Sequence, residues 1–563
     1  MTTASGAAIH ARDVYDDATR ERFRRTGDWR DTPVSRLLLR NATQQPDDVA
    51  VVDADEQVTW SELAARARAV ASAYVALGLE PGDYIGIQLP NRVAFLEAYY
   101  GAALAGLRVV TLMTIYREAD LEFMLGQVGA RALVTAGDFR GHDHASMGVA
   151  VASAVPTLEH VLLTGGRHPG AISLVDVAAR SVPLTDELVA ARALDPDTTS
   201  RVAFTSGTSG RPKGVVHTGN TDLVSPAWMM RILGLDRDSN VLVGSPLAHV
   251  AGLTFGVHQT ALCGSTLVLQ ESWEAAAATG LVERHAVRVM ISSRIFASEL
   301  LDAADASRER LASLRWFVAG GSAVPPDLVQ RAERDFGVRV LRSLGMTEAP
   351  VHVVNRPADR AELRARRDGR VVDGAEARVA RLGDRTQDAA PGEAGEFATR
   401  GPHVFLGYLG EPDLTAEARD ERGWYYSGDL VRVDDDGFFE HLGRIKDIVN
   451  RGGIKISAAE VEAVVLRHPA VSACAVVPVP DERLGERTCA CVVLAPGQAL
   501  ELDDLVRHFE KERITRQKWP ERLELLTDLP TNAAGKVDKQ QLRSLLATPE
   551  RHPDRTDEET HHR

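Results

Sequence analysis

The feature that most constrains this fold is a regular alternation of short apolar runs with helix-period segments. From Val49 the chain reads VAVVD, a helical pattern over Leu63 to Leu79, YIGIQL, a second helical pattern over Phe95 to Leu107, and RVVTL. Strands separated by helices pair in parallel, so the expectation is an α/β fold with mainly parallel sheets. The first helix should open at Thr59, where the Thr59 hydroxyl and the Glu62 carboxylate can form a capping box.

The pattern changes twice further along. Between Asp373 and Glu396 the chain is rich in Gly, Pro, Asp and Arg, with alternating segments such as EARVARL and GEFATRG that read as a small β-rich subdomain. After GRIKD (Gly443 to Asp447), the segments ISAAEVEAVVLRHP, ACAVVPVP, TCACVVLA and ELDDLVRHFEKE read as helix, strand, strand, helix. The expected organisation is a helical or irregular lead-in over 1–48 and a large region over 49–444 of two α/β subdomains plus the small β subdomain. An α+β domain over 445–548 follows, and the charged segment 549–563 reads as a disordered tail.

Charge narrows the function. Lys and Arg number 65 against 79 Asp and Glu, a formal −14, which opposes a nucleic-acid backbone or an anionic membrane and excludes a general DNA binder. No apolar stretch approaches the length of a membrane span, so the reading is a soluble, cytoplasmic protein with no nucleic-acid or membrane partner. Cys263, Cys474, Cys489 and Cys491 lack CxxC spacing and are expected as unpaired thiols. Monomer and homodimer both stay open.

The segment richest in chemistry is Thr205 to Gly214, TSGTSGRPKG, directly after the apolar run RVAF. Its glycines allow close backbone approach to a ligand, the hydroxyls of Thr205, Ser206, Thr208 and Ser209 can donate to phosphate oxygens, and Lys213 closes the loop with a positive charge. Gly207 and Gly210 complete the cradle. The GxxxxGK[ST] spacing of a Walker A loop is absent.

TSGTSGRPKG resembles the signature loop of the adenylate-forming superfamily of acyl- and aryl-CoA synthetases. Further segments match that family in order. PLAHVAG (Pro246 to Gly252) resembles its P-L-x-H-x-x-G segment, which implies a place for His249 near the acid carboxylate. AGGSAVPPDL, with Gly320, Gly321 and Ser322, resembles the loop on the adenine face. GMTE, with Gly345, Met346, Thr347 and Glu348 after Leu344, resembles the metal and phosphate motif. GWYYSGDL resembles the ribose motif, GRIKDIVNRGGIKISAAEVE the hinge and start of a C-terminal domain, and LPTNAAGKVDK the loop of the catalytic lysine. The match is closest in character to ligases of the cyclohexanecarboxylate-CoA type.

The resemblance implies a two-step reaction. ATP and an acid yield an acyl-adenylate and pyrophosphate, and CoA then takes the acyl group. Lys536 would bridge the carboxylate and the α-phosphate, while Thr208 and Glu348 would hold Mg²⁺ and the Thr205 hydroxyl would help to stabilise the charge that builds there. Asp429 would accept from the ribose hydroxyls, with Arg444 as a further ribose or phosphate contact. Lys446 would be the hinge of a mobile C-terminal domain, and Gly452 and Gly453 would line the pantetheine tunnel.

Two departures stand out. Leu344 occupies a position where relatives carry Tyr or Trp, removing an aromatic partner for adenine, on the order of 1 kcal/mol. Ser292, Ser293 and Arg294 replace a small Gly-Ala-Thr run that lines an apolar acyl pocket in similar ligases. A guanidinium there either faces solvent or meets a substrate with dense acceptors. The leading expectation is activation of a small aryl, short or cyclic acid; alternatives are diazotase-like activation of nitrous acid and a non-catalytic nucleotide-binding role.

Overall fold

The computed structural model describes residues 8–54, 56–205, 212–303, 305–321, 324–451, 454–481, 483–512, 514–531 and 537–546. The chain divides into two compact units, one running to Ser427 with Arg432–His441, the other comprising Gly428–Val431 with Leu442 onward.

In the first unit the alternation becomes two large sheets. A nine-stranded sheet runs through Arg370–Val371, Ala349–Val354, Arg339–Met346, Trp316–Gly320, Val289–Ser293, Val241–Val243, Leu267–Leu269, Val49–Val52 and Gln57–Thr59. An eight-stranded sheet runs through Gly407–Tyr408, Lys213–Thr218, Thr199–Thr205, Arg108–Thr111, Tyr84–Gln88, Ala132–Thr135, His160–Leu163 and Ile172–Ser173. The central strands of both pair in parallel. Their residues are almost all buried, which is why these runs are apolar throughout instead of alternating. A smaller five-stranded sheet includes the two segments expected as β, Glu376–Arg381 and Gly395–Arg400.

Two helices, Asp17–Arg25 and Val34–Gln44, lie in the lead-in, and the helix expected to open at Thr59 spans Trp60–Ala76. Its capping box is present: the Glu62 amide donates to Thr59 Oγ1 at 3.3 Å, and the Thr59 amide donates to Glu62 Oε2 at 2.9 Å. It stops before Leu79 because Gly78 takes φ +80°. The Leu79 amide then turns back to the Tyr74 carbonyl and the Gly78 amide to that of Val75. Leu79 is buried, so an apolar side chain that continues the periodic pattern belongs to a glycine-terminated cap rather than to the helix.

The second unit has its own core and a sheet ordered Ile454–Ser457, Ile448–Arg451, Gly485–Leu494 and Val471–Asp481, with Arg522–Leu526 parallel to Gly485–Leu494. Helices Ala458–Val465 and Leu502–Lys511 lie where the sequence pattern puts them. All four cysteines are free.

The first unit buries several imidazoles completely: His217, His258 and His403 have no measurable exposure. Burial holds His217 and His258 down to about 4, the Arg201 guanidinium adding to the effect, and pushes His403 well below the ordinary histidine range. These rings are neutral in the native state, and in the unfolded chain they take up protons near pH 6.5. Above that pH they cost nothing; as pH falls toward 4 the unfolded state binds protons the native state cannot, and stability is lost, on the order of 3 kcal/mol for each of the first two rings. Carboxylates titrate lower, so the window between pH 6.5 and 5 belongs to histidine. Urea unfolding should show a steadily falling free energy across that window, and the slope should lessen in His258→Gln; a flat profile would contradict neutral burial.

Candidate active site

The phosphate-loop segment is framed by an antiparallel strand pair. Thr199–Thr205 lies against Lys213–Thr218 with Thr205 opposite Lys213 and Arg201 opposite His217. The register brings Thr205 and Lys213 together at the open end of the pair; Ser206, Gly207, Thr208, Ser209 and Gly210 lie outside the described residues. Strand alternation places Lys213, Val215 and His217 on one face. That face meets the GMTE motif. Lys213 Nζ stands 5.0 Å from the centroid of the Tyr408 ring, Val215 packs in one cluster with Ala349, Phe405 and Tyr408, and His217 Nε2 is 2.7 Å from the Thr347 carbonyl oxygen.

The motif itself is a tight turn. Met346 pairs with Ala349 across antiparallel strands, leaving Thr347 and Glu348 as the connection. Neither residue has positive φ, so this is not the primed hairpin turn that Asn and Gly favour. Gly345 is required by close approach: a Cβ there would fall 2.0 Å from the Pro350 carbonyl oxygen. The turn is held from outside. Phe405 donates its amide to the Glu348 carbonyl at 2.8 Å, and the Tyr408 hydroxyl donates to Glu348 Oε1 at 2.8 Å.

Glu348 is 9% exposed, and its Oε2 has no hydrogen-bond partner among the described residues. That suits Mg²⁺, a hard cation that takes one or two carboxylates and completes its shell with water and substrate phosphates. Glu348 would hold it; Thr208, the other expected ligand, lies outside the described residues.

The residues expected on the acid side collect at the carboxyl ends of the parallel strands, the edge where ligands bind in open α/β sheets. Ser293 pairs with Gly320 and Ser292 with Ala319. A side chain on Gly320 would come within 2.9 Å of Ser343 Oγ, and Gly321 takes φ +77°; Ser322 lies outside the described residues. Ser292 is buried with its hydroxyl 2.6 Å from that of Ser245, a partner the sequence did not single out. Arg294 opens the helix Arg294–Asp302. It is half-buried, burial lowers its pKa, and it has no hydrogen-bond or ion-pair partner among the described residues. His249, half-buried, caps the short helix Val250–Gly252 by accepting the Ala251 amide at Nδ1, 3.3 Å away. Leu344 is half-buried and pairs with Val353. A cavity of about 310 Å³ lined by Leu89, Arg92, Gly137, Phe139, Gly165 and Glu271 contains none of these motif residues.

In the second unit Arg444 Nε meets Asp429 Oδ1 at 2.8 Å, so the two residues expected at the ribose are an ion pair. Lys446 sits in the single turn Ile445–Asp447, and Arg543 donates to the Lys446 carbonyl and pairs with Asp447. Gly452, Gly453 and Lys536 lie outside the described residues. Sequence reasoning missed Tyr408 and His217. No motif spacing links Tyr408 to Glu348, 60 positions away, and His217 reads from sequence as one more residue of an apolar strand.

Comparison with known proteins identifies the family. The family of AMP-binding enzymes matches residues 38–409, and the AMP-binding enzyme C-terminal domain matches residues 460–536. The medium-chain fatty-acid–CoA ligase of Escherichia coli strain K12 is 34% identical over 534 residues, covering 94% of this chain and 93% of that protein. A salicylyl-CoA synthase / salicylate adenylyltransferase from a Streptomyces species is 32% identical, covering 93% and 96%. Among solved structures, ATP-bound MatB from Rhodopseudomonas palustris superposes with a TM-score of 0.80 at 25% identity, covering 91% of this chain and 99% of MatB. With both family domains matched in order and relatives of this identity aligned along nearly their whole length, the chain belongs to the AMP-binding enzyme family, in the adenylate-forming acyl-CoA synthetase superfamily.

Proposed function

We propose that the protein is an AMP-forming ligase that joins a small carboxylic acid to CoA. The observation that carries the reading is the convergence of Lys213, Tyr408 and Glu348 at the open end of the Thr205–Lys213 strand pair. A carboxylate resists attack by a thiol because its leaving group would be oxide. Attack of the acid oxygen on the α-phosphorus of ATP expels pyrophosphate and leaves an acyl-adenylate, from which AMP departs when the CoA thiol attacks the carbonyl carbon.

In the first step negative charge accumulates on the phosphate oxygens, where Lys213, the Thr205 hydroxyl and Lys536 stabilise it. Mg²⁺ held by Glu348 would supply Lewis-acid charge stabilisation there. The Tyr408 hydroxyl fixes one carboxylate oxygen and leaves the other for the metal. Gly320, Gly321, Ser322, Leu344, Gly345, Met346 and Thr347 form the adenine and phosphate wall, and Asp429 with Arg444 receives the ribose. His249 lies on the acid side. Lys446 acts as the hinge between the two half-reactions, changing few torsions.

Ser292, Ser293 and Arg294 favour a small polar or aromatic acid over a long unbranched one, because an unpaired cation near an apolar tail is costly to desolvate. Its relatives above are named for medium-chain fatty acids and for salicylate, and they give no support to nitrous acid activation or to a non-catalytic role. We place the enzyme in the cytoplasm, where ATP and CoA are supplied; no helix among the described residues is long and apolar enough to cross a membrane.

Four measurements test this reading. A pyrophosphate-release screen over aryl, short and cyclic acids, with nitrite as an arm, should find an acid that also yields a thioester with CoA. Lys536→Ala should lose at least about a hundredfold in pyrophosphate release, roughly 2.7 kcal/mol of transition-state stabilisation; response to nitrite alone, or near-normal release by the mutant, would overturn the assignment.

Tyr408→Phe removes a hydrogen bond to a charged oxygen, about 1.5–3 kcal/mol. Adenylate formation should fall about tenfold or more while the melting temperature moves little; an unchanged rate would separate Tyr408 from the metal site. Arg294→Ala should lower kcat/KM for the native acid and raise it for an apolar acid of similar size. A ratio changed by less than about twofold, some 0.4 kcal/mol, would place Arg294 outside the acid pocket.

A further inference from the structure

The Thr347–Glu348 turn has an unusual problem. It must hold a carboxylate in place, yet it lacks the residue types that make a two-residue hairpin connection rigid by themselves. Its rigidity therefore comes from the three outside contacts: Phe405 on the Glu348 carbonyl, Tyr408 on the Glu348 carboxylate, and His217 on the Thr347 carbonyl. The first is backbone and survives any side-chain change. The third is made by a side chain with no expected part in the reaction.

We propose that His217 is a positioning residue that locks the Thr347–Glu348 turn onto the Lys213–Thr218 strand through a neutral imidazole donating from Nε2. The tautomer follows from the partners. A carbonyl oxygen only accepts, so at 2.7 Å Nε2 carries the proton. In a neutral ring Nδ1 is then the acceptor, and the Thr221 hydroxyl, 3.1 Å away, donates to it. Thr221 is placed for this by the cap of the helix Gly219–Leu233, where its amide donates to Thr218 Oγ1 and its Oγ1 accepts the Thr218 amide.

The surroundings keep the ring neutral. His217 is fully buried, and the titratable groups acting on it are Arg201 and His258, which oppose a second positive charge, and Asp222, which favours one. His217 in turn helps to lower His403. Arg201 and Asp222 are already paired to each other, so burial and the arginine prevail. The consequence is a fixed proton: the donor to Thr347 is present throughout the range in which the enzyme works, and the site's pH response is not set by this ring.

This role rests on the adenylation reading, because it matters only if Glu348 holds the metal that meets ATP. The strand alternation makes the link direct. Lys213 and His217 project from the same face of one strand, so the cation beside Tyr408 and the anchor of Thr347 are fixed by one rigid element. Outside partners that orient a metal ligand typically change metal affinity by 10–100-fold when removed.

The test has a spectroscopic arm read on the unsubstituted protein, with one variant used only to assign the resonance, and an affinity arm that needs no acid substrate. In protein labelled with ¹⁵N-histidine, the resonance that disappears in His217→Gln should show a neutral ring protonated at Nε2 from pH 8 down to 5; an Nδ1–H tautomer or a cation at pH 6 would overturn the proposal. By calorimetry, His217→Phe should weaken ATP binding in the presence of Mg²⁺ at least about tenfold while binding in EDTA changes by less than about twofold. His217→Gln, whose side-chain amide can donate at similar reach, should restore most of the loss. Equal losses in Phe and Gln variants, or none in either, would mean that the ring only fills space. If the phenylalanine variant does not fold, the tautomer and the glutamine variant still decide. Loss of the acid-activation reading would leave both arms readable, because neither measures turnover.

Discussion

An arginine with 1% of its side chain exposed survives in a protein interior only when its charge is matched, and here the strand pair that frames the proposed phosphate site is arranged around that requirement. Arg201 pairs with Asp222 through Nε, 3.1 Å from each carboxylate oxygen, and through its terminal nitrogen as well. Burial alone would raise the Asp222 pKa, but the arginine beside it brings the net effect below the ordinary carboxylate range. Removing either partner would strand a buried charge, a loss of about 3–5 kcal/mol. The pair ties the strand ending at Thr205 to the helix that follows the Lys213–Thr218 strand. With Arg201 opposite His217 across the hairpin, one end of the strand pair is anchored by charge and the other is free to meet phosphate. The same guanidinium helps to hold His217 neutral, so the structural ion pair and the geometry of the Glu348 turn are linked through one imidazole.

Much of this could be read from the sequence, and the reasons are specific. The Leu63 to Leu79 pattern announced a helix because its apolar period and its capping box are local properties. TSGTSGRPKG stood out as a candidate phosphate cradle through its glycine and hydroxyl content, whereas GMTE was singled out only by its resemblance to the family's motif. Tyr408 was not, since its meaning depends on a strand pairing with Val215 that brings it beside a glutamate 60 positions away. His217 was hidden for the opposite reason. On an apolar strand a histidine looks like a buried neutral side chain, which it is, and only the Thr347 carbonyl reveals what it does. Ser245 escaped because its hydroxyl matters only through Ser292, a contact made from just beyond the end of the strand Val241–Val243 to the neighbouring parallel strand.

The acid side shows a different balance. Ser292 is already engaged with Ser245, so of the three departures from the small Gly-Ala-Thr run it is the least free to meet a substrate. Arg294 is the reverse, half-buried and without a partner among the described residues. A charge left in that condition marks either a surface position or a complement waiting in the ligand, and the carboxyl edge of a parallel sheet is where ligands are found. The polar acid proposed for this enzyme rests on that asymmetry between two neighbouring residues rather than on the fold, which accommodates apolar and aromatic acids alike in the relatives.

The central claim is that the acid is activated by bond formation between its oxygen and the α-phosphorus of ATP. Isotope transfer tests this directly. With an acid labelled with ¹⁸O in both carboxylate positions, turnover with CoA should deliver one labelled oxygen to AMP, which mass spectrometry of the nucleotide would detect, while pyrophosphate stays unlabelled. Label appearing in orthophosphate, with ADP as the nucleotide product, would mean an acyl-phosphate route and would contradict the account.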